Sequence, residues 1–134
     1  MNLAPYLHFD GRCAEAFAFY AKCLDGAVTM AMTYGGSPMA DQVPAEMADK
    51  VMHAELTAGT THLMGSDSPP GRYHAPQGFS ISVAPPNTQA AERVFTALSE
   101  HGRVDMPLQQ TFWAARFGTL TDQFGISWMV NCEA

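Results

Sequence analysis

His53, Glu55 and His62 are the residues of this chain whose types and spacing best suit chemistry. His53 and Glu55 stand two apart in VMHAELTAG, so on a strand both point to one face. A carboxylate beside an imidazole orients the ring and raises its basicity, which suits a general base. Joined by a second imidazole, His62, the same side chains can instead hold a divalent cation. They also suit a plain hydrogen-bonded sheet face, and spacing alone does not choose. Arg116 and Asn131 are the second polar pair: a guanidinium fork receives a carboxylate or phosphonate, or pairs with an acidic neighbour. Asp67, in SDSPP, offers its carboxylate to a ligand hydroxyl or forms an Asx turn before Pro69. Among the aromatics, Phe112 is the candidate for a pocket wall, while Trp113, Phe117 and Trp128 are expected in the core. No GxSxG elbow occurs, and Cys13 and Cys23 sit in a helical pattern as buried thiols.

The elements that must position these groups follow from periodicity. Residues 3–9 read as a short apolar strand, and Cys13, Phe17, Tyr20, Ala21 and Leu24 recur at helical spacing until Asp25-Gly26. A strand over 28–34 is followed by a Gly/Pro-rich excursion, 35–50. Residues 51–57 and 61–66 form a hairpin turning at Gly59-Thr60. After a Pro/Gly-rich loop the order repeats: strand 79–83, helix 88–101 capped by Asn87 or Thr88, strand 104–108, and a second hairpin. FYAKCLDGAVTMAM (19–32) aligns without a gap on FTALSEHGRVDMPL (95–108), with Phe, Gly, Val and Met coinciding. The chain therefore reads as a single domain, 1–134, of two α+β modules, about 1–66 and 78–132.

Faces follow from pairing. In the first hairpin Met52, Ala54, Leu56 and Ala58 are expected under the helix. His53, Glu55, His62, Met64 and Ser66 then share the other face, with Glu55 opposite Met64 and Thr57 opposite His62. A four-residue turn at 122–125 in the second hairpin would put Trp113, Phe117, Trp128 and Val130 on one face. Phe112, Arg116, Met129 and Asn131 would take the other, with Arg116 opposite Asn131.

Composition narrows the partners. Seven basic against thirteen acidic residues give a net charge of −6 with no Lys/Arg cluster, which argues against nucleic acid and against an anionic membrane surface. No apolar run approaches the ~20 residues of a membrane span, and MNLAPYLHFDG is no leader. Cytoplasmic residence is the expectation, with Cys13, Cys23 and Cys132 as reduced thiols.

PYLHFDGRCAEAFAFY (5–20), VMHAELTAG (51–59), LMGSD (63–67) and MPLQQTFWAARFG…TDQFGISWMVN resemble the PhnB-like branch of the vicinal oxygen chelate superfamily, which includes glyoxalases, bleomycin-resistance proteins and extradiol dioxygenases. The resemblance covers nearly the whole chain. It implies paired βαβββ modules whose mixed sheet curls around a cavity, and a homodimer. Metal-using members place one ligand on each of four strands; carried over by motif, those positions are Pro5, Met64, Phe79 and Met129. Pro and Phe offer no donor and thioethers are soft, so no metal and no cofactor are expected there. Similar sequences often bear the name demethylubiquinone methyltransferase, but no strand here leads into the GxGxxG turn of a nucleoside site.

The leading expectation is a metal-free protein binding a small organic molecule. Leu7, Phe9, Met64, Phe79, Phe112 and Met129 would form the wall, and His53, Glu55, His62, Ser66, Asp67, Arg116 and Asn131 would give polarity. The alternative is an enzyme, an isomerase, lyase or transferase, with His53 and Glu55 as catalytic acid–base groups or ligands of a relocated metal. A third reading is an interaction module whose pocket is filled by its own side chains.

Overall fold

The computed structural model describes all 134 residues, which divide into two compact units, residues 1–74 and 75–134. The first holds β1 (Tyr6–Phe9), α1 (Cys13–Cys23), β2 (Ala27–Thr33), β3 (Val51–Ala58) and β4 (Thr61–Asp67). The second holds β5 (Ile81–Val83), α2 (Thr88–Ser99), β6 (Arg103–Gln109), β7 (Arg116–Thr121) and β8 (Ser127–Cys132). The strand orders are β1-β4-β3-β2 and β5-β8-β7-β6. In each sheet the first pair is parallel and the other two are antiparallel. Each unit is thus a βαβββ module with an open, mixed four-stranded sheet, the α+β architecture expected.

The repeat seen in sequence has a physical basis at the helix ends. Asp25 and His101 both adopt left-handed backbone, at φ 54° and 58°, and stop their helices at the same point. The next residue is glycine in both. A Cβ on Gly26 would fall 2.6 Å from the Thr57 carbonyl oxygen, and one on Gly102 2.5 Å from that of Thr121. Close helix–sheet approach is enforced twice as well. A Cβ on Gly65 would sit 2.9 Å from the Phe17 ring, and one on Gly118 2.7 Å from the Phe95 ring.

These approaches let each helix bury one face. Cys13, Ala16, Phe17, Tyr20 and Cys23 of α1 are buried, and so are Leu56 and Leu63 of the sheet. Ala90, Ala91, Val94, Phe95 and Leu98 of α2 are buried, and so are Leu120, Trp128 and Val130. Full burial of each Leu or Phe contributes about 1.5–3 kcal/mol. Asn87, not Thr88, caps α2, its side-chain oxygen accepting from the Ala90 N–H at 2.8 Å.

Three expectations about faces are corrected. Leu7 and Phe9 are not wall residues: both are core, 2% and 3% exposed, with Phe9 edge-on to Phe17 of α1 at 6.2 Å. Met52 is half-buried while Val51 is buried, because the β2–β3 ladder has an irregularity between Met32 and Thr33. In the second hairpin Thr121 pairs with Ser127, leaving five loop residues, 122–126, rather than four. The one-residue change exchanges the faces of β7. Arg116 now lies opposite Cys132, and Phe117 opposite Asn131.

Candidate functional site

The sheet face of the first unit that lies away from α1 carries Tyr6, His8, His53, Glu55, His62 and Met64. The register places them there: Glu55 lies opposite Met64, Thr57 opposite His62, and Tyr6 beside Met64 on the parallel strand. Met32 and Met30 of β2 flank His53 and Glu55 in turn. His53 Nε2 lies 3.0 Å from Glu55 Oε2, and His53 Nδ1 lies 3.0 Å from the Tyr6 hydroxyl. The His53 and Glu55 side chains are 26% and 42% exposed, so a solute can reach both.

With the His53 ring neutral, the contacts allow one proton arrangement. An ionised carboxylate only accepts, so Nε2 of His53 carries the proton toward Glu55. Nδ1 of the neutral ring is then an acceptor, and the Tyr6 hydroxyl donates to it. The Tyr6 and His53 ring planes are inclined by 27°, with centroids 5.6 Å apart.

His62 does not join this group. Its Nδ1 meets the Thr57 hydroxyl at 3.3 Å, and no three His, Cys, Asp or Glu side chains converge as metal ligands. The expected His53/Glu55/His62 cluster is therefore a pair plus a separate histidine. Ser66 lies beside His8 on the parallel strand and is buried.

Asp67 is neither a ligand anchor nor the start of an Asx turn. It is 1% exposed, and its two carboxylate oxygens accept from the Cys13 N–H and the Val51 N–H, each at 2.9 Å. The first bond caps α1, whose own N-cap residue Arg12 makes no side-chain cap. The Tyr34 hydroxyl adds a 2.7 Å bond to the Asp67 carbonyl. Burial, and then the Asp67 charge, push the Cys13 thiol up to about 12. Burial first and Asp67 next also raise the Tyr34 phenol.

In the second unit the face away from α2 holds Ser82, Phe117, Thr119, Met129 and Asn131, by the pairing of β5, β7 and β8. An open groove of about 470 Å³ lies at one end of it, between residues 76–80 and β8, lined by Pro76, Gln77, Gly78, Phe79, Ser80, Ser127 and Met129. The Ser80 and Ser127 hydroxyls are hydrogen-bonded at 2.7 Å. Asn131 lies outside the lining, and its Oδ1 accepts from the Trp113 indole at 3.2 Å. Arg116 is a correction: it turns to the α2 side and pairs with Glu92 at 3.4 Å. Trp113 is another, 50% exposed and packed against Phe117 rather than buried beside Trp128. Phe112 leans on Trp113 at 4.8 Å and is 97% exposed, so it walls no pocket in this unit.

Tyr6, Ser80 and Ser127 were not singled out from sequence. For Tyr6 a partial signal existed: Tyr6 and His8 alternate with Leu7 and Phe9, which marks them as a pair sharing one face of the strand.

A divalent cation does not fit the four carried-over positions. Met64 donates its backbone N–H to the Pro5 carbonyl at 3.0 Å, so this pair is adjacent, and Phe79 and Met129 both line the groove. Between them the four side chains offer two thioethers and no nitrogen or oxygen donor.

A family model described as 3-demethylubiquinone-9 3-methyltransferase matches residues 1–131. Protein YjdN of Escherichia coli (strain K12) is 32% identical, over 98% of this chain and 95% of that protein. The crystal structure of protein PA1353 from Pseudomonas aeruginosa superposes with a TM-score of 0.91 at 47% identity, covering 99% and 98% of the two chains. A putative 3-demethylubiquinone-9 3-methyltransferase, PhnB protein, from Bacillus cereus has the same fold, with a TM-score of 0.81 at 24% identity over 98% and 99%.

Proposed function

This chain belongs to the 3-demethylubiquinone-9 3-methyltransferase family, a PhnB-like branch of the glyoxalase/bleomycin resistance superfamily, and from that premise we propose that it binds a small organic molecule without a metal. The observation that carries this reading is the groove at Phe79 and Met129. Where metal-using relatives would place ligands, this chain puts an aromatic ring and a thioether beside two serine hydroxyls. Its volume, about 470 Å³, lies within the range of small-molecule sites. A thioether adapts to ligands of varied shape, while a hydroxyl pair fixes the orientation of one polar group. Methyl transfer is not part of the reading, because neither strand–helix junction, 10–12 or 84–87, carries a glycine-rich nucleoside turn. Residence in the cytoplasm and assembly as a homodimer belong to the same proposal. No helix is long and apolar enough to cross a membrane.

The test is a thermal melt of chelator-stripped protein against small aromatic and carboxylic compounds, and against Ni, Zn, Mn, Fe(II) and Mg. A compound at a hundred times its Kd stabilises the native state by about 2.7 kcal/mol. The expected result is a saturable shift with an organic compound, lost in Met129→Trp, which fills the groove. A saturable shift with a metal alone would refute the proposal.

The Tyr6–His53–Glu55 chain favours a second reading, an acid–base enzyme. His53→Ala and Glu55→Gln would then abolish turnover while leaving the melt unchanged; full activity in both variants would sink it.

A further inference from the structure

We propose that Tyr6 is the reacting group of the first unit, a phenol activated by His53 and Glu55 to take a proton from a weakly acidic small organic molecule. The tautomer derived above aims the Tyr6 proton at His53 Nδ1, 3.0 Å away, while Glu55 holds Nε2 at 3.0 Å. Three properties distinguish this arrangement from a chance surface contact. Tyr6 is 38% accessible, and its hydrogen bond to His53 lies in an exposed part of the sheet face. The imidazole is held at both nitrogens, which fixes its orientation. The three groups come from two strands separated by β4, so Tyr6 reaches across the sheet to make the contact.

The step balances without a co-reactant. The bound acid releases a proton to the Tyr6 oxygen as Tyr6 passes its own proton to Nδ1 of His53. The negative charge remains on the organic molecule. The positive charge resides on the imidazolium, beside the Glu55 carboxylate. Reversal returns the proton to the same atom or, for a delocalised anion, to a neighbouring one. Tyr6 would touch the reactant, whereas His53 and Glu55 act through it as positioning and proton-accepting groups. Logically this resembles a nucleophile–base–orienter triad, with a phenol in the first place. His8, whose ring centroid is 5.2 Å from that of Tyr6, is the nearest further imidazole.

This inference rests on the acid–base reading, not on the groove, and it can be tested without knowing the substrate. An aryl sulfonyl fluoride reports phenol activation directly. The Tyr6 oxygen forms an S–O bond, fluoride leaves with the S–F electron pair, and the phenolic proton passes to His53. Tyr73, half-buried in the same unit, is the internal reference, and Tyr34 is engaged with the Asp67 carbonyl. Labelling of the whole chain, read residue by residue by mass spectrometry, should proceed roughly 100-fold faster at Tyr6 than at Tyr73, the low end for a positioned base. His53→Phe should bring Tyr6 to the Tyr73 rate. Glu55→Gln, which keeps size and shape at a half-exposed site, should slow it several-fold with an unchanged melt. Tyr6 labelling no faster than Tyr73, or a fast rate indifferent to both substitutions, overturns the proposal. Slow labelling together with turnover lost on His53→Ala would remove Tyr6 yet leave the acid–base reading standing.

Discussion

Replacing Asp67 with asparagine probes a carboxylate that ties α1 and β3 to the end of β4. Its two oxygens accept from the Cys13 and Val51 N–H groups, both at 2.9 Å, in a site 1% exposed to solvent. Asparagine has nearly the same shape but only one acceptor oxygen, so its NH2 must face one of the two N–H donors. One buried donor is then orphaned at about 1–3 kcal/mol, and the surviving bond loses its charge assistance, worth about 1 kcal/mol more. The expected loss in Asp67→Asn is therefore roughly 2–4 kcal/mol. Asp67→Ala orphans both donors and should cost roughly 2–6 kcal/mol. Urea unfolding followed by circular dichroism gives the midpoint and slope, and an unchanged slope shows that stability alone has moved. Hydrogen exchange should show the Cys13 and Val51 amides deprotected first. An Asp67→Asn protein within about 0.5 kcal/mol of the parent would refute the capping argument, since that is the range of surface substitutions.

Two further outcomes follow from burial and geometry. Gly65→Ala and Gly118→Ala place a methyl 2.9 Å from the Phe17 ring and 2.7 Å from the Phe95 ring, so each should cost about 1–3 kcal/mol by overpacking, read as a lower thermal midpoint. Cys13 keeps its proton in the folded chain up to about 12, while the unfolded thiol releases it near 9. Between those values the native state binds more protons than the unfolded one, so stability falls as pH rises. The Cys13→Ala variant should lose stability less steeply over that window in pH-dependent urea unfolding.

How much of this was legible before the structure depended on local chemistry. The first hairpin was readable because a two-residue Gly-containing turn fixes its register, and with it the face shared by His53, Glu55 and Met64. The second was not, because Asp122 reorganises its turn. The Asp122 carboxylate accepts from Phe124 and Ile126 N–H groups, and Gly125 takes φ 89°, which adds a residue to the loop. That residue moved Arg116 to Glu92 and exposed Trp113 and Phe117 to each other. Leu7 and Phe9 were misplaced for a different reason: a four-residue strand of mixed aromatic and apolar residues shows which side chains alternate, not which set meets the helix. Asp67 was misread because its partners, Cys13 and Val51, lie 54 and 16 residues away, beyond any local motif.

The paired glycines, Gly26 with Gly102 and Gly65 with Gly118, have a consequence for how this chain can change. They serve the helix-bearing side of each sheet, so one frame has been written twice, while the opposite sides have diverged in chemistry. One copy presents a phenol, imidazoles and a carboxylate; the other presents hydroxyls, an amide and a thioether. After a duplication, such a frame lets one half drift without disturbing the closure of the other. An engineer can use the same separation, exchanging residues on one open face at a time while the glycine-bound side preserves the scaffold.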